Sequence, residues 1–429
     1  MENLSLKQQF KLWTSVALQS FGGPAGQIAV IHRLVVEEKK LISEEKFLHA
    51  LNFCMLLPGP EAQQLATYIG WLIHKTKGGL IAGLLFILPG FLSILTLSYF
   101  YVLFYHLALV QGFFYGLKPA IVVFVTAALF KISQRVLKNT FHLFLAIGAF
   151  IALFFFNLAF PVVVIFAGLS GIIYARFSGV SSSTKPQQMP QLYQTFKTFS
   201  LWSFVWIFPI FLTHSILGEK STLHTMNIFF SKMSMVTFGG AYAALSYVAQ
   251  EAVATYGWVS SGEMLDALAM AESTPGPLIQ SVQFVGFLGA YRFHDFASPM
   301  LSAFLASILV TWMTFAPCFL WIFTFAPYVE FIRGKKIFSE ALNAITASVV
   351  GVILNLSLWF ILKTIFKNSH RLEFKYLSLD LPILNSIDLW AVLICLLACV
   401  LRFRYNKNLF TILSISALLG ALIQLFSHL

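Results

Sequence analysis

The chain has 429 residues, a formal net charge of +11, 58% hydrophobic residues and only 10% charged residues. A soluble domain carries about 25% charged residues, so a soluble globular fold is excluded. Lys and Arg lie in short loops, with no basic stripe interleaved with aromatics. This excludes a nucleic-acid-binding surface and matches the positive cytoplasmic loops of membrane proteins.

Apolar stretches long enough to cross a bilayer occur at 78–104, 109–130, 141–157, 160–175, 199–217, 298–326, 341–362, 387–401 and 409–427. The N-terminal MENLSLKQQFKLWTS has no apolar core followed by a small-residue cleavage site, so no removable signal peptide is expected. Cys54, Cys318, Cys395 and Cys399 sit in apolar segments without a CxxC, and the histidines form no HExxH cluster. Reduced, packed thiols are expected, with no catalytic residues, no metal and no cofactor.

In chain order, two segments are interrupted first. Residues 10–32 break at Phe21-Gly22-Gly23-Pro24, and 47–73 break at Pro58-Gly59-Pro60. Residues 177–197 are rich in Ser, Pro and Gln and read as an exposed linker. One further apolar segment, 199–217, follows. Then 226–249 break at Phe238-Gly239-Gly240, and 264–290 break at Pro275-Gly276-Pro277.

The chain is written twice. FGG and PGP both recur 217 residues later, and PGFL from Pro89 recurs as PCFL from Pro317 after 228 residues. The organisation expected is a first repeat over 1–180, a linker and connecting segment over 181–219, and a second repeat over 220–429. Six segments per half and one connector give about 13 transmembrane segments. The odd connector makes the two repeats inverted in topology. With the N-terminus inside, loops 131–140, 330–340 and 402–408 place their Lys and Arg inside. Loop 363–375, with Lys363, Lys367, Arg371 and Lys375, is the exception. The fold class is thus all-α integral membrane, with broken or re-entrant helices; the sequence leaves open whether each broken segment crosses fully or turns back.

Gly/Pro interruptions at corresponding places in two halves mark transporter binding sites. A helix restarting after such a break presents orphan N–H groups and the positive end of its dipole, which bind oxyanions. Proline at the first helical position suits such a restart. Candidate substrate-binding residues are therefore Gly22, Gly23, Pro24, Gln27, Pro58, Gly59, Pro60, Gln63, Gln64, Gly239, Gly240, Thr274, Pro275, Gly276, Pro277 and Gln280. The glutamines are read as amide donors or as interhelical hydrogen bonds, and Thr274 as a cap for the restart. Glu61 follows the first PGP and Glu272 precedes the second, and both are candidates for coupling protons to anion occupancy. For Glu61 the competing reading is a charge complementing a helix N-terminus. Asp266 and Glu263 read as interfacial, and Lys118 as snorkelling to the interface or, alternatively, as supplying a charge to the vestibule.

FGGP and LPGPEAQQLATYIGW in the first half, with FGG and TPGP in the second, resemble the chromate ion transporter family, in particular its long two-domain members. The resemblance runs from about residue 5 to the C-terminus, and its motif positions fall on Phe21 to Pro24, Pro58 to Pro60, Gln63, Phe238 to Gly240 and Pro275 to Pro277. Ala241 departs from it, standing where the first half has Pro24. The resemblance implies a multi-pass transporter of the bacterial inner membrane that exports chromate, with chromate resistance as the outcome. The alternatives are sulfate or another oxyanion as substrate, or a passive anion channel. Expected partners are the oxyanion, with sulfate as competitor, and membrane lipid; a homodimer is a candidate assembly.

Overall fold

The computed structural model describes residues 4–177, 192–238, 240–328, 336–374 and 377–427. The greater part of the expected linker, together with Gly239, Arg333 and Lys335, lies outside the described residues. Among the described residues the fold is helical, and seven helices are long and apolar enough to cross a membrane. The strands among the described residues form a small antiparallel hairpin of β1 (Ser369–Phe374) and β2 (Leu377–Pro382), which begins in the charged loop expected at 363–375.

In the first half, α1 (Leu6–Gln19) and α2 (Gly23–His32) flank the FGG break, and α2 runs on into a π-helical turn, Arg33–Glu38. Helix α3 (Glu44–Met55) leads to the PGP break, and α4 (Glu61–Phe104) restarts after it. At 1.5 Å per residue a straight α4 would be about 66 Å long, far more than a bilayer needs. His74 and Lys75 are non-helical, and there the helix folds back on itself. Gly70 on the arm 61–73 lies directly against Gly78 on the arm 76–104, and a Cβ on Gly83 would stand 2.5 Å from the Thr67 hydroxyl. Helices α5 (Ala108–Val136), α6 (Thr140–Phe154) and α7 (Phe160–Phe177) complete the half.

Helix α8 (Leu192–Leu217) connects the halves, and the element pattern then repeats. Helices α9 (Thr222–Val236) and α10 (Ala241–Ala249) flank the second FGG, with a π-helical turn, Gln250–Thr255, after α10. Helices α11 (Ser261–Ser273) and α12 (Ser281–Arg292) flank the second PGP. Helices α13 (Pro299–Phe325), α14 (Lys336–Ile365), α15 (Leu389–Cys399) and α16 (Leu409–Ser427) follow. The two π-helical turns stand 217 residues apart, in the register of the motifs. Ser43 and Ser260, also 217 apart, cap α3 and α11.

Three of the broken segments turn back at their breaks. Phe229 of α9 packs on Tyr247 of α10 with ring centroids 5.3 Å apart. Arg292 of α12 pairs with Glu263 of α11 and donates to the Trp258 carbonyl at 2.9 Å. In the first half, Phe53 of α3 meets Tyr68 of α4 at 5.3 Å. Collinear helices would hold each of these pairs well apart, so each PGP break and the second FGG break is the tip of a helical hairpin.

Among the crossings that join the halves, two show their direction plainly. Gly112 of α5 meets Ala421 and Gln424 of α16, and Gly116 meets Ser416 and Gly420. Gly168 of α7 meets Ile345 of α14, and Gly171 meets Ala341 and Ala344. In both pairs one number rises as the other falls, so the helices run antiparallel. Small residues at these crossings let the backbones touch.

A candidate anion site at four helix breaks

The hairpin tips meet across the halves. The Gly59 N–H donates to the Thr237 carbonyl at 2.8 Å, and the Gly276 N–H donates to the Ser20 carbonyl at 2.9 Å. These bonds are repeat-related: each PGP turn is tied to the residue just before the FGG of the other half. Each PGP also packs on the long proline-containing helix of the other half. A Cβ on Gly59 would lie 2.8 Å from Cys318 Sγ, and a Cβ on Gly276 would lie 2.8 Å from Gly90 Cα. Gly59 has φ +124° and Gly276 φ +114°, conformations that glycine adopts without strain.

Four helices begin at these tips. Their N-cap positions are Gly22, Pro60, Gly240 and Pro277, and none makes a side-chain hydrogen bond to the first turn. By contrast, Ser5, Ser43, Asn139, Ser221, Ser260, Ser298 and Asp388 each cap their helix with a side chain. The breaks therefore bring together uncapped helix ends, whose free N–H groups suit an anion. Cβ atoms on Gly22 or Gly240 would meet nothing within 4 Å, so the chain has open space beside both.

The restart differs in detail from the sequence expectation. Pro60 and Pro277 occupy the N-cap, not the first helical position; Pro24 is within the first turn of α2. After Pro277 the chain makes a 3-10 turn, Leu278–Gln280, before α12 begins. Thr274 does not cap it; its hydroxyl donates to the Met270 carbonyl at 2.9 Å.

The glutamines brace the breaks. Gln64 Nε2 donates to the Pro58 carbonyl at 2.7 Å, and Gln27 Nε2 to the Gly276 carbonyl at 2.7 Å. Gln63 Nε2 reaches Thr67 Oγ1 at 3.2 Å, and Gln280 Nε2 reaches Gln283 Oε1 at 2.6 Å and Thr311 Oγ1 at 3.1 Å. Gln63, Gln64 and Gln280 are buried, and their Oε1 atoms have no partner among the described residues. Buried polar atoms are normally satisfied, by water where the protein supplies no partner.

The two glutamates are not alike. Glu61 is half-buried at the first position of α4, where a negative charge complements the dipole. Glu272 is buried at the end of α11 and accepts a 2.6 Å hydrogen bond from Tyr242, the second residue of α10.

Tyr242 and Gln283 went unread in the sequence; the available signal was Tyr242 directly after a break. Asp266 and Lys118 correct a reading. Asp266 is fully buried instead of interfacial, and Lys118 Nζ stands 3.3 Å from its Oδ1 instead of snorkelling away. A groove of about 820 Å³ between α15 and α16, lined by Leu393, Leu397, Leu419 and Leu422 with Tyr115, Lys367, Asp388 and Gln424 among others, includes none of the break residues.

Broken helices meeting tip to tip, within a bundle of long apolar helices, define a multi-pass α-helical membrane transporter. The model of the chromate transporter family matches residues 7–172 and 224–422, and the chain belongs to that family. It is 30% identical to the chromate transport protein of Pseudomonas aeruginosa, over 82% of this chain and 80% of the relative. It is 26% identical to a probable chromate transport protein of Synechococcus elongatus, over 81% of this chain and 83% of the relative. An uncharacterized transporter of Methanocaldococcus jannaschii is 25% identical, over 84% and 85%. No solved structure matches the chain.

Proposed function

We propose that the chain is a secondary transporter that exports chromate across the bacterial inner membrane and confers chromate resistance. The observation that carries the anion reading is the meeting of four uncapped helix ends at the PGP and FGG tips. The substrate rests on the family and on the names of the relatives. Chromate is a tetrahedral dianion, and backbone amides satisfy such a charge without a lysine.

Two inverted repeats support alternating access. Helices α5 and α14 are repeat mates, as are α7 and α16. The crossings of α5 with α16 and of α7 with α14 are both antiparallel. Directly repeated halves would make both parallel. The four broken pairs are read as re-entrant hairpins, and the other helices as nine crossings. The first half's hairpins then enter from the cytoplasm and the second half's from outside. This puts Lys75 and Lys77 inside with Lys131, Arg135 and Arg402, and leaves the β1–β2 loop outside.

The membrane potential supplies the drive. One charge crossing is worth about 2.3 kcal/mol per 100 mV, so a dianion leaving a negative interior gains about 4.6 kcal/mol. That sustains about three decades of concentration ratio. Glu61, the first residue of α4 directly after the PGP tip, is the proposed proton-coupling residue.

The test is radiolabelled chromate uptake into everted vesicles under a set potential, with and without excess sulfate, for native protein and Glu61→Gln. Export appears as potential-driven uptake that sulfate, an isosteric dianion, competes away. Loss of uptake in Glu61→Gln, with the protein still in the membrane, supports coupling; unchanged uptake removes that role. Sulfate movement without chromate uptake would replace the substrate, and uptake that dissipates any gradient without coupling would make the protein a channel.

A further inference from the structure

We propose that the protein is held open to the cytoplasm by an outer gate, the ion pair Lys118–Asp266, which has no counterpart on the inner side. The assignment of sides rests on the inverted topology proposed above.

Repeat symmetry makes each half a control for the other. Leu265 and Ala269 on α11 are 1% and 0% exposed; their mates on α3, Leu48 and Asn52, are 46% exposed and exposed. On the neighbouring hairpin, every residue of α10 is buried, whereas Ala25 and Ala29 of α2 are exposed. The cause is packing. Helices α10 and α11 pack on α14 and α5, while α2 and α3 make no comparable contact with α5 or α14 among the described residues. Equivalent surfaces are thus covered by the opposite half on one side and uncovered on the other, and the proposal takes the uncovered one as the open inner side.

The closed side is bolted by charge. Asp266 on α11 faces Lys118 on α5 at 3.3 Å and accepts a 2.9 Å hydrogen bond from Tyr101 on α4. Asp266 is wholly buried, and the Lys118 side chain is 20% exposed. The pair therefore ties a hairpin of the second half to two helices of the first. In the repeat register, His49 stands for Asp266 and Thr346 for Lys118. A closed inner side would lack this ion pair. A buried pair is costly to separate, because each charge loses its partner before water replaces it. Its best-attested use is to fix one arrangement over another. Here it biases the resting equilibrium toward the state that accepts a cytosolic anion. The anion then drives the switch only through its differential affinity for the two states.

Thiol accessibility tests this without any substrate. In a chain whose four native cysteines are replaced, Asn52→Cys reports the inner side and Ala269→Cys the outer side. With the native pair, a membrane-impermeant maleimide labels position 52 in everted vesicles and leaves position 269 unlabelled in intact cells. Lys118→Met or Asp266→Asn is expected to raise labelling at 269 about tenfold, the effect of a shift of about 1.4 kcal/mol, and to lower labelling at 52. The double variant Lys118→Met with Asp266→Asn strands no charge and is expected to raise labelling at 269 as well. The gate is overturned if 269 stays protected in the double variant while 52 still labels, since that chain is folded and its pair is gone. A chain that labels as expected but moves no chromate would defeat the substrate reading and leave the gate standing.

Discussion

Gly276 shows how much one residue can decide. Its φ of +114° is strained for any residue with a Cβ, and a Cβ there would press on Gly90 Cα at 2.8 Å. Such strain costs roughly 1–3 kcal/mol, and the clash is with backbone, which cannot swing aside. Gly276→Ala is expected to abolish chromate uptake and to lower the melting temperature of the purified protein, whereas Gly22→Ala, at φ +76° with open space around it, bears strain alone. Equal uptake in the two variants would remove the packing role of Gly276. At this scale the sequence was legible where a residue type is unusual in its context. A glycine between prolines and a glutamate in an apolar run announce themselves. Asp266 did not, because it sits near a segment end and reads there as interfacial, and Lys118 did not, because a lone lysine in an apolar segment reads as snorkelling. Only their 3.3 Å approach, between residues far apart in the chain, reveals a buried pair.

Among the elements, helix punctuation was readable and helix direction was not. The breaks fall where Gly and Pro predicted them, between α1 and α2, α3 and α4, α9 and α10, and α11 and α12. Whether the chain continues or turns back at a break depends on which helix supplies the next apolar surface, and that is a long-range contact. The fold-back of α4 at His74–Lys75 is local in cause but has no Gly or Pro at the two non-helical residues. The crossing of α5 and α16 depends on backbone approach, since a Cβ at Gly420 would enter the Gly112 carbonyl and the Gly116 amide. Gly420→Leu is therefore expected to separate the helices. In a detergent melt it should lower the midpoint and leave little folded protein, while Gly148→Leu, where a Cβ meets nothing within 4 Å, should behave as the native chain. Matched midpoints for the two would show that the crossing contributes nothing to stability.

For the whole molecule the topology is open to direct measurement. A cysteine replacing Lys77 is expected to label from the cytoplasmic side, and one replacing Ser378 on β2 from outside. Labelling of Ser378→Cys from the cytoplasm would refute the inverted arrangement and move Lys363 and Lys367 inside. Repeat symmetry is what makes this scale interpretable. The bonds Gly59 to Thr237 and Gly276 to Ser20 obey it, whereas the burial of Leu265 against the exposure of Leu48 breaks it.

The sequence by itself determined the membrane class, the duplication, the positions of the breaks and the family, because composition, repetition and helix-breaking residues act locally and survive without a partner. Tertiary structure alone decided that broken segments turn back, that each PGP is bound to the opposite half, and that Asp266 meets Lys118. Those outcomes depend on which surfaces meet across the two halves, and a linear pattern of residues records what each surface offers but not which one it finds.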